Sequence, residues 1–269
     1  MKLLLYLLLF FSGVVQAHEQ LKVVGMNYPV WVLHNDNLVP LSPGTVIFAN
    51  DILSTGRGSR ALIQHPGTGT IKLGESARVR VLSVDNNKKQ HYSFEVICGA
   101  FPHYPVLDQS TNQKTNVALS IGDINTELNS ASIWGRSNLE KDLFCLIDGT
   151  VTVDAEGGDQ QQLQQSLTVY LKPKGKAALP VDRVDTGLLQ NWLAETELDS
   201  LRGVAEDRGE WQLVLLSLTS KAKAAEAVQS YEQKGFAVKR MSVIRQGKVL
   251  HRILLQGFVS IDDALSARL

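Results

Sequence analysis

The last sixty residues of the chain alternate between strand-like and helix-like segments in a fixed order. Apolar runs of strand length flank an alanine-rich amphipathic stretch that ends at Gly235, and Gln246-Gly247 supplies a turn between two of the runs. The predicted segments are a strand at Trp211–Leu218, a helix at Ser220–Lys234, strands at Phe236–Ile244 and Val249–Gln256, and a helix that opens at Ser260. This order predicts a small α+β domain over residues 209–269.

The first residues of the chain have the pattern of a secretory signal peptide. Lys2 precedes the apolar run from Leu3 to Phe11, and Val15-Gln16-Ala17 ends in a small residue. The apolar core of about 13 residues is shorter than the roughly 20 that span a bilayer. We therefore expect residues 1–17 to be cleaved and the mature protein to be exported to the periplasm, with no membrane span left after cleavage.

Composition and charge exclude some classes of partner. The chain has 269 residues, a hydrophobic content of 44% and a formal net charge of zero. This length suggests two domains, and the absence of a basic excess argues against a nucleic-acid binder. Residues 209–269 hold nine Lys or Arg against five Asp or Glu, a balance that suits an anionic wall polymer or ordinary surface scatter equally well.

Residues 21–181 have the pattern of an all-β domain. Short β-rich runs recur between turn signals such as Ser42-Pro43-Gly44 and Asp148-Gly149, which predicts a sandwich, a roll or a short β-helix. Residues 182–208 then form a predicted helical linker. Within it, Thr186–Asp199 places Leu188, Leu189, Trp192, Leu193 and Leu198 on one helical face, typical of a helix that docks on a domain.

Two cysteines, Cys98 and Cys145, lie in apolar runs that look like strands. In an exported protein such a pair can form a disulfide, whereas two buried thiols packed as small apolar residues are the alternative. Their spacing fits no zinc motif. The sequence leaves both states of the pair open.

Signals for enzyme chemistry are absent or weak. The chain has no HExxH, GxSxG, GxxxxGK[ST] or CxxC motif, and its six histidines are scattered without metal-ligand spacing. Ser220 and Lys223 match the SxxK spacing of serine acyltransferases but lack the partner motifs. Ser220 is better interpreted as a helix N-cap. We expect a protein that is not an enzyme and needs no cofactor or metal.

A set of turn and strand residues in the first half resembles the FecR-like domain of bacterial envelope proteins. The matching positions are Pro43-Gly44, Asn50-Asp51-Ile52, Thr55-Gly56, Ser59-Arg60-Ala61-Leu62, Gly69-Thr70-Ile71-Lys72-Leu73 and Ser76. Asn50 stands where the family usually has glycine. Gly44, Gly56 and Gly69 suit turns or close backbone approach, and Asp51 can cap a turn through its carboxylate. The resemblance is best over residues 30–82, and the residue types at these positions are more typical of a structural scaffold than of a ligand site.

The C-terminal segments resemble the SPOR domain, a bacterial module that binds peptidoglycan glycan strands stripped of their peptides. The matching residues are Ser217, Ala225, Val228, Tyr231, Gly235-Phe236, Arg252, Phe258 and Ala264. Val214 occupies the place of a glutamine that the family uses in glycan binding. The chain ends where the family's fourth strand would begin, which predicts an exposed sheet edge unless the preceding domain covers it.

The resemblance implies a glycan-binding surface on the first and third strands of the domain. Its candidate residues are Ser217, Arg252 and Gln256, whose polar groups would hydrogen-bond sugar hydroxyls. The implied function is a periplasmic protein that binds denuded glycan and is recruited to the division septum, with other envelope or division proteins as further partners. The alternative is a protein-interaction scaffold whose SPOR-like domain, lacking the glutamine at Val214, no longer binds glycan.

Overall fold

The computed structural model describes residues 20–65, 69–85, 91–105, 116–155 and 160–267. The predicted signal peptide, residues 1–17, lies outside these ranges. Within the described ranges, sixteen strands precede the first helix: β1 (Lys22–Asn27), β2 (Val30–His34), β3 (Asn37–Pro40), β4 (Ile52–Thr55), β5 (Arg60–His65), β6 (Gly69–Leu73), β7 (Arg78–Asp85), β8 (His91–Tyr104), β9 (Asn116–Ile121), β10 (Ile124–Leu128), β11 (Ser132–Ser137), β12 (Lys141–Asp148), β13 (Val151–Ala155), β14 (Gln161–Leu163), β15 (Thr168–Pro173) and β16 (Asp182–Arg183).

The rest of the chain contains the described helices and four more strands. In chain order these are α1 (Thr186–Ala194), a 3-10 turn (Ser200–Arg202), β17 (Ala205–Glu206), β18 (Trp211–Leu218), α2 (Lys221–Gln233), β19 (Lys239–Arg245), β20 (Lys248–Phe258) and α3 (Ile261–Ser266). Ser220 caps α2, since its hydroxyl accepts from the Lys223 N–H at 3.3 Å. Ser260 caps α3 through the Asp263 N–H at 3.0 Å.

The first sixteen strands form two sheets that share β8. One sheet has the order β3–β2–β4–β7–β8–β9–β10–β13–β14, and the other has the order β16–β15–β12–β11–β8–β6–β5–β1. The strand β8 passes from one sheet to the other at Gly99, which has φ +90°. A Cβ there would lie 2.4 Å from the Cα of Ala77, so this crossing requires glycine.

The two sheets enclose one hydrophobic core. Phe94 and Phe101 lie on the two halves of β8, are nearly inaccessible to solvent, and bring their rings to 6.0 Å between centroids. Within the described residues every strand pairing is antiparallel except β8 with β9. The prediction of a mostly β chain with an α+β C-terminus is therefore confirmed. Of the predicted β architectures, the antiparallel pairing favours two packed sheets over a β-helix, whose coils stack in parallel.

Turn residues singled out in the sequence hold the backbone of the first sheet. Gly44 has φ +87° and Asn50 has φ +71°, both in the left-handed region. The buried carboxylate of Asp51 accepts from the Phe48 N–H at 2.9 Å and lies 2.6 Å from Nδ1 of His34. These residues act in the scaffold, as their types predict.

The helix α1 docks on the β domain through an aromatic pair. Trp192 stacks on the buried Trp134 with ring centroids 4.7 Å apart and an angle of 14° between planes. The Trp134 indole N–H also donates to the Trp192 carbonyl at 3.1 Å, and Leu189 is buried beside them. Of the apolar face predicted for this helix, Leu189, Trp192 and Leu193 pack on the domain, whereas Leu188 is 40% exposed and Leu198 lies beyond the end of the helix.

The short strand β17 joins the β domain to the C-terminal segments. Ala205 pairs with Met26 of β1 on one side and with Phe258 of β20 on the other. The buried side chain of Asn27 donates to the carbonyls of Asp199 and Gly203, both at 2.9 Å, and accepts from the Asp199 N–H. Hydrogen bonds therefore tie the connecting segment to both parts of the chain.

Aromatic side chains fill the contact between the two parts. The Tyr28 ring lies 6.2 Å from each of the Phe236 and Phe258 rings, and its hydroxyl donates to the Gln256 carbonyl at 3.2 Å. Burial raises the pKa of the Tyr28 phenol above its ordinary value, so the hydroxyl stays a donor. Gly235, with φ +86°, leaves room for the Trp31 ring, which a Cβ would approach to 2.3 Å.

The two cysteines are separate free thiols in the structure. Gly99 pairs with Ser137, which places Cys98 beside the end of β11, whereas Cys145 pairs with Trp134 near the middle of that strand. The positions of Cys98 and Cys145 therefore differ by about four residues along β11, a distance of about 13 Å. A disulfide joins Cα atoms no more than about 7 Å apart. The candidate pairing of Cys98 with Cys145 therefore does not fit this geometry.

The two thiols are expected to differ sharply in reactivity. Cys145 is fully buried, and burial raises the pKa of its thiol to about 12, so almost no thiolate forms near neutral pH. Cys98 is half-buried. Maleimide labelling of the folded protein at neutral pH should modify one thiol per chain quickly and the second only after unfolding. Cys98→Ser should remove the fast phase, and a chain with no reactive thiol even when unfolded would show a disulfide instead.

Candidate functional site

The C-terminal segments form a three-stranded antiparallel sheet with helices on one face. The central strand β20 lies between β18 and β19. Leu213 and Leu255 pair across β18 and β20, and both pack in the core together with Tyr231 of α2 and Ala264 of α3. Because side chains alternate along a strand, the next residues on each side project from the opposite face.

That opposite face, which we call the open face, carries a mixed polar and apolar set of side chains. The register places Val214 beside Leu254 and places Lys239 on the other side of Leu254. Val214 is 46% exposed and Leu254 is 2% exposed. Around Leu254 and Arg252, the register assigns to the open face Gln212, Val214, Ser217, Lys239, Met241, Arg252, Leu254 and Gln256.

Two of the predicted site residues are direct neighbours on this face. Ser217 of β18 pairs with Arg252 of β20, and Met241 flanks Arg252 from β19. The Arg252 Nε is buried and has no hydrogen-bond partner among the described residues. The described residues form no salt bridge with Arg252, so the outer N–H groups of its half-buried guanidinium have no carboxylate that would compete with an anionic ligand.

The third predicted residue, Gln256, has a partner that the sequence reasoning missed. Gln212 of β18 lies directly opposite Gln256, so two side-chain amides face each other across the strands. Gln212 is exposed and Gln256 is half-buried. The signal was present in the sequence, since Gln212 is two residues before Val214 and alternation places both on one face. The open face thus retains a glutamine on its first strand, one pleat away from the expected position.

The charged side chains on the three strands of this sheet are all positive. The strands β18, β19 and β20 contain five cationic residues and no Asp or Glu. The cationic residues are Lys239, Arg240, Arg245, Lys248 and Arg252. Neighbouring positive charges without internal partners attract anions and raise association rates, so the sheet favours an anionic partner over a neutral one.

The outer edge of β18 pairs with no other strand in the described part of the chain. The strand β17 reaches the sheet only at its end, where Ala205 pairs with Phe258. The predicted exposed edge is therefore present along β18, where Val214 and Leu216 are 46% and 37% exposed.

Residues 207–269 match the SPOR domain. The match confirms the resemblance of the C-terminal segments, and SPOR domains are peptidoglycan-binding modules found commonly at the septum. None of the curated proteins matches the chain. The FecR-like resemblance of residues 30–82 stays a prediction.

Two solved structures of one bacterial protein are similar to the chain at low identity. Both are crystal structures of a protein from Parabacteroides distasonis designated an anti-sigma factor. Each is 10% identical and covers 74% of this chain with a TM-score of 0.43, and the similarity covers 97% and 96% of the two solved chains. At this TM-score the likeness carries no argument about function.

Among the described residues, no group of three or more His, Cys, Asp and Glu side chains is placed to hold a metal ion. In the same ranges no helix has both the length and the apolarity needed to cross a bilayer.

Proposed function

We propose that the protein is a periplasmic peptidoglycan-binding protein that holds denuded glycan strands on the open face of its SPOR domain. The observation that carries the proposal is Arg252, a half-buried cation without a carboxylate partner in the described chain, at the centre of a face that also presents Ser217 and Gln256. In this account the protein is a binding module and catalyses no reaction.

The chemistry of stripped glycan fits these groups. Removing the peptide from N-acetylmuramic acid by an amidase leaves a free lactyl carboxylate on the sugar. The Arg252 guanidinium would bind that carboxylate through charge-assisted hydrogen bonds. Ser217 and Gln256 would hydrogen-bond hydroxyl and acetamido groups, while Met241, which is 40% exposed, would pack against a sugar ring. A glycan that still carries its peptides lacks the carboxylate and would bind less well.

The other segments of the chain would also have roles in this function. Residues 1–17 would direct export, residues 21–181 would form the FecR-like all-β domain, residues 182–208 would be the helical linker, and residues 209–269 would be the glycan-binding domain. Since stripped glycans accumulate where the septum is being divided, the protein would concentrate there beside other envelope or division proteins. Neither nucleic acid nor a membrane span has a part in this proposal.

Co-sedimentation with purified sacculi tests the proposal. Residues 18–269 would be incubated with sacculi before and after amidase treatment, with a protein of similar size and charge as the control. Retention that rises after amidase treatment supports binding to denuded glycan. Equal background retention on both kinds of sacculus would contradict it.

A second candidate function is favoured by Val214 and its surroundings. Val214 stands where the family has a glycan-binding glutamine, and together with the half-exposed Leu216 it makes part of β18 apolar. Such a surface suits a protein partner. In this reading the protein is an envelope interaction scaffold that does not bind glycan.

Val214→Gln separates the two functions. The side chain is 46% exposed, so glutamine fits without a buried polar group. If the scaffold reading holds, the unchanged protein is not retained on stripped sacculi and the variant gains retention. If glycan binding holds, the unchanged protein is retained and the variant changes its affinity by no more than about fivefold, the worth of one neutral hydrogen bond. Val249→Gln, 49% exposed and on the helix-bearing side of β20, is the matched control.

A further inference from the structure

A cleft of 770 Å³ lies between the hairpin of β2 and β3 and the C-terminal domain. We infer that this cleft is a second saccharide subsite, which binds the continuation of the glycan strand that the open face holds. The inference rests on the proposed function, because it extends the same ligand into a site that both parts of the chain build. Its volume is within the range of about 300–1,000 Å³ that ligand pockets have.

The two walls of the cleft differ in chemistry. The hairpin contributes an aromatic and apolar wall that includes Trp31, Val39 and Pro40. The opposite wall comes from the end of α2 and the strands beyond it, and it includes the amides of Gln229 and Gln233. A pyranose ring has apolar faces and a rim of hydroxyl groups, so one apolar wall and one amide-bearing wall match a sugar on both sides.

The cleft is continuous with the open face. Lys239 and Gln256 line the cleft, and both belong to the open face by their register with Leu254. A chain-like ligand that lies across Arg252 and Gln256 would therefore reach the cleft without leaving the protein surface. This continuity favours a glycan strand over an unrelated small molecule.

Trp31 gives the hairpin wall of the cleft an aromatic surface that is held in place. Its indole Nε1 is buried and has no hydrogen-bond partner among the described residues. The ring is fixed against Gly235, where no side chain could be accommodated.

The walls are held in place before any ligand binds. Tyr28, which also lines the cleft, contacts the rings of Phe236 and Phe258 and donates to the Gln256 carbonyl. Because this contact fixes the hairpin relative to the C-terminal domain, little ordering is needed on binding, which increases affinity.

The double variant Gln229→Ala/Gln233→Ala tests the cleft in the full chain from residue 18. Both glutamines are exposed on α2, and alanine is the best helix former, so folding should be unaffected. The probe is soluble glycan released from amidase-treated sacculi. We expect the affinity for long fragments to fall about tenfold or more, as loss of two hydrogen bonds implies. Gln190→Ala, an exposed glutamine on α1 outside the cleft, should bind like the unchanged protein.

Val39→Asp tests the opposite wall. This variant places a negative charge at a position where the side chain is 45% exposed. Because the glycan is anionic, repulsion should weaken its binding. Leu82→Asp, 42% exposed on β7, is its control. If Arg252→Ala weakens binding about tenfold or more but both cleft variants bind like the unchanged protein, the cleft inference is overturned and the proposed function stands. If the unchanged protein binds no stripped glycan, both are overturned.

Discussion

Arg252→Ala is expected to lower the affinity of the protein for amidase-stripped glycan by about 10- to 100-fold. Hydrogen bonds to charged groups contribute roughly 1.5–3 kcal/mol, and each 1.4 kcal/mol is about a factor of ten in affinity. The guanidinium lies between Ser217 and Met241 at the middle of the open face and has no ion pair in the described chain that would compete with a ligand. Isothermal titration with soluble stripped glycan measures the change.

The control for this variant is an arginine on the same sheet. Arg240 pairs with Ile253, so it projects from the other face, and Arg240→Ala removes the same charge without touching the open face. We expect it to change affinity by less than about threefold, the effect of an exposed charge at a distance. Arg252→Ala should leave the thermal unfolding temperature nearly unchanged, since no salt bridge is lost. Equal affinities for the two alanine variants would contradict the role assigned to Arg252.

Phe258→Ala is expected to reduce the free energy of unfolding by about 3–5 kcal/mol, the usual cost of removing a buried phenylalanine ring. Phe258 is fully buried, it lies 6.2 Å from Tyr28, and its backbone pairs with both Ala205 and Trp211. The side chain therefore stabilises the C-terminal domain and its contact with the β domain together. Urea unfolding followed by tryptophan fluorescence gives the free energy.

The same variant should also change the cooperativity of unfolding. In the unchanged protein the shared strand β17 and the aromatic contact predict a single transition for both parts of the chain. Loss of the Phe258 ring should either split this single unfolding transition into two or make the single transition less steep. Phe48→Ala, a phenylalanine that is 52% exposed in the β domain, should cost much less and keep one transition. Two transitions in the unchanged protein would show that the contact is too weak to couple the two parts.

Local sequence patterns predicted the elements of the C-terminal domain closely. The strand Trp211–Leu218 has the predicted bounds, and Ser220 caps the helix as its residue type indicates. The next strand begins at Lys239 and not at Phe236, because Phe236 turns inward to pack on Tyr28 and Tyr231. Alternation and capping are properties of neighbouring residues, so they can be read locally, whereas that packing depends on a residue more than two hundred positions away.

The candidate site also has features that the local sequence predicts and features that depend on distant residues. The pairing of Ser217 with Arg252 follows from aligning two apolar strands, and the family resemblance named both as candidate residues. Gln212 was missed because the family resemblance points to Val214, whereas only the alternation of side chains along the strand places Gln212 on the same face. The cleft beside Trp31 could not be predicted, since nothing in the local sequence of the β2–β3 hairpin indicates that it packs against the end of α2.

The central claim is that denuded glycan lies on the open face of the C-terminal domain. Nuclear magnetic resonance of isotope-labelled residues 18–269, titrated with soluble amidase-stripped glycan, tests it directly. The account predicts chemical-shift changes concentrated at Gln212, Ser217, Arg252 and Gln256, with little change at Leu213 and Leu255 on the opposite face. Changes confined to the helices or to the β domain, or no changes at saturating glycan, would contradict it.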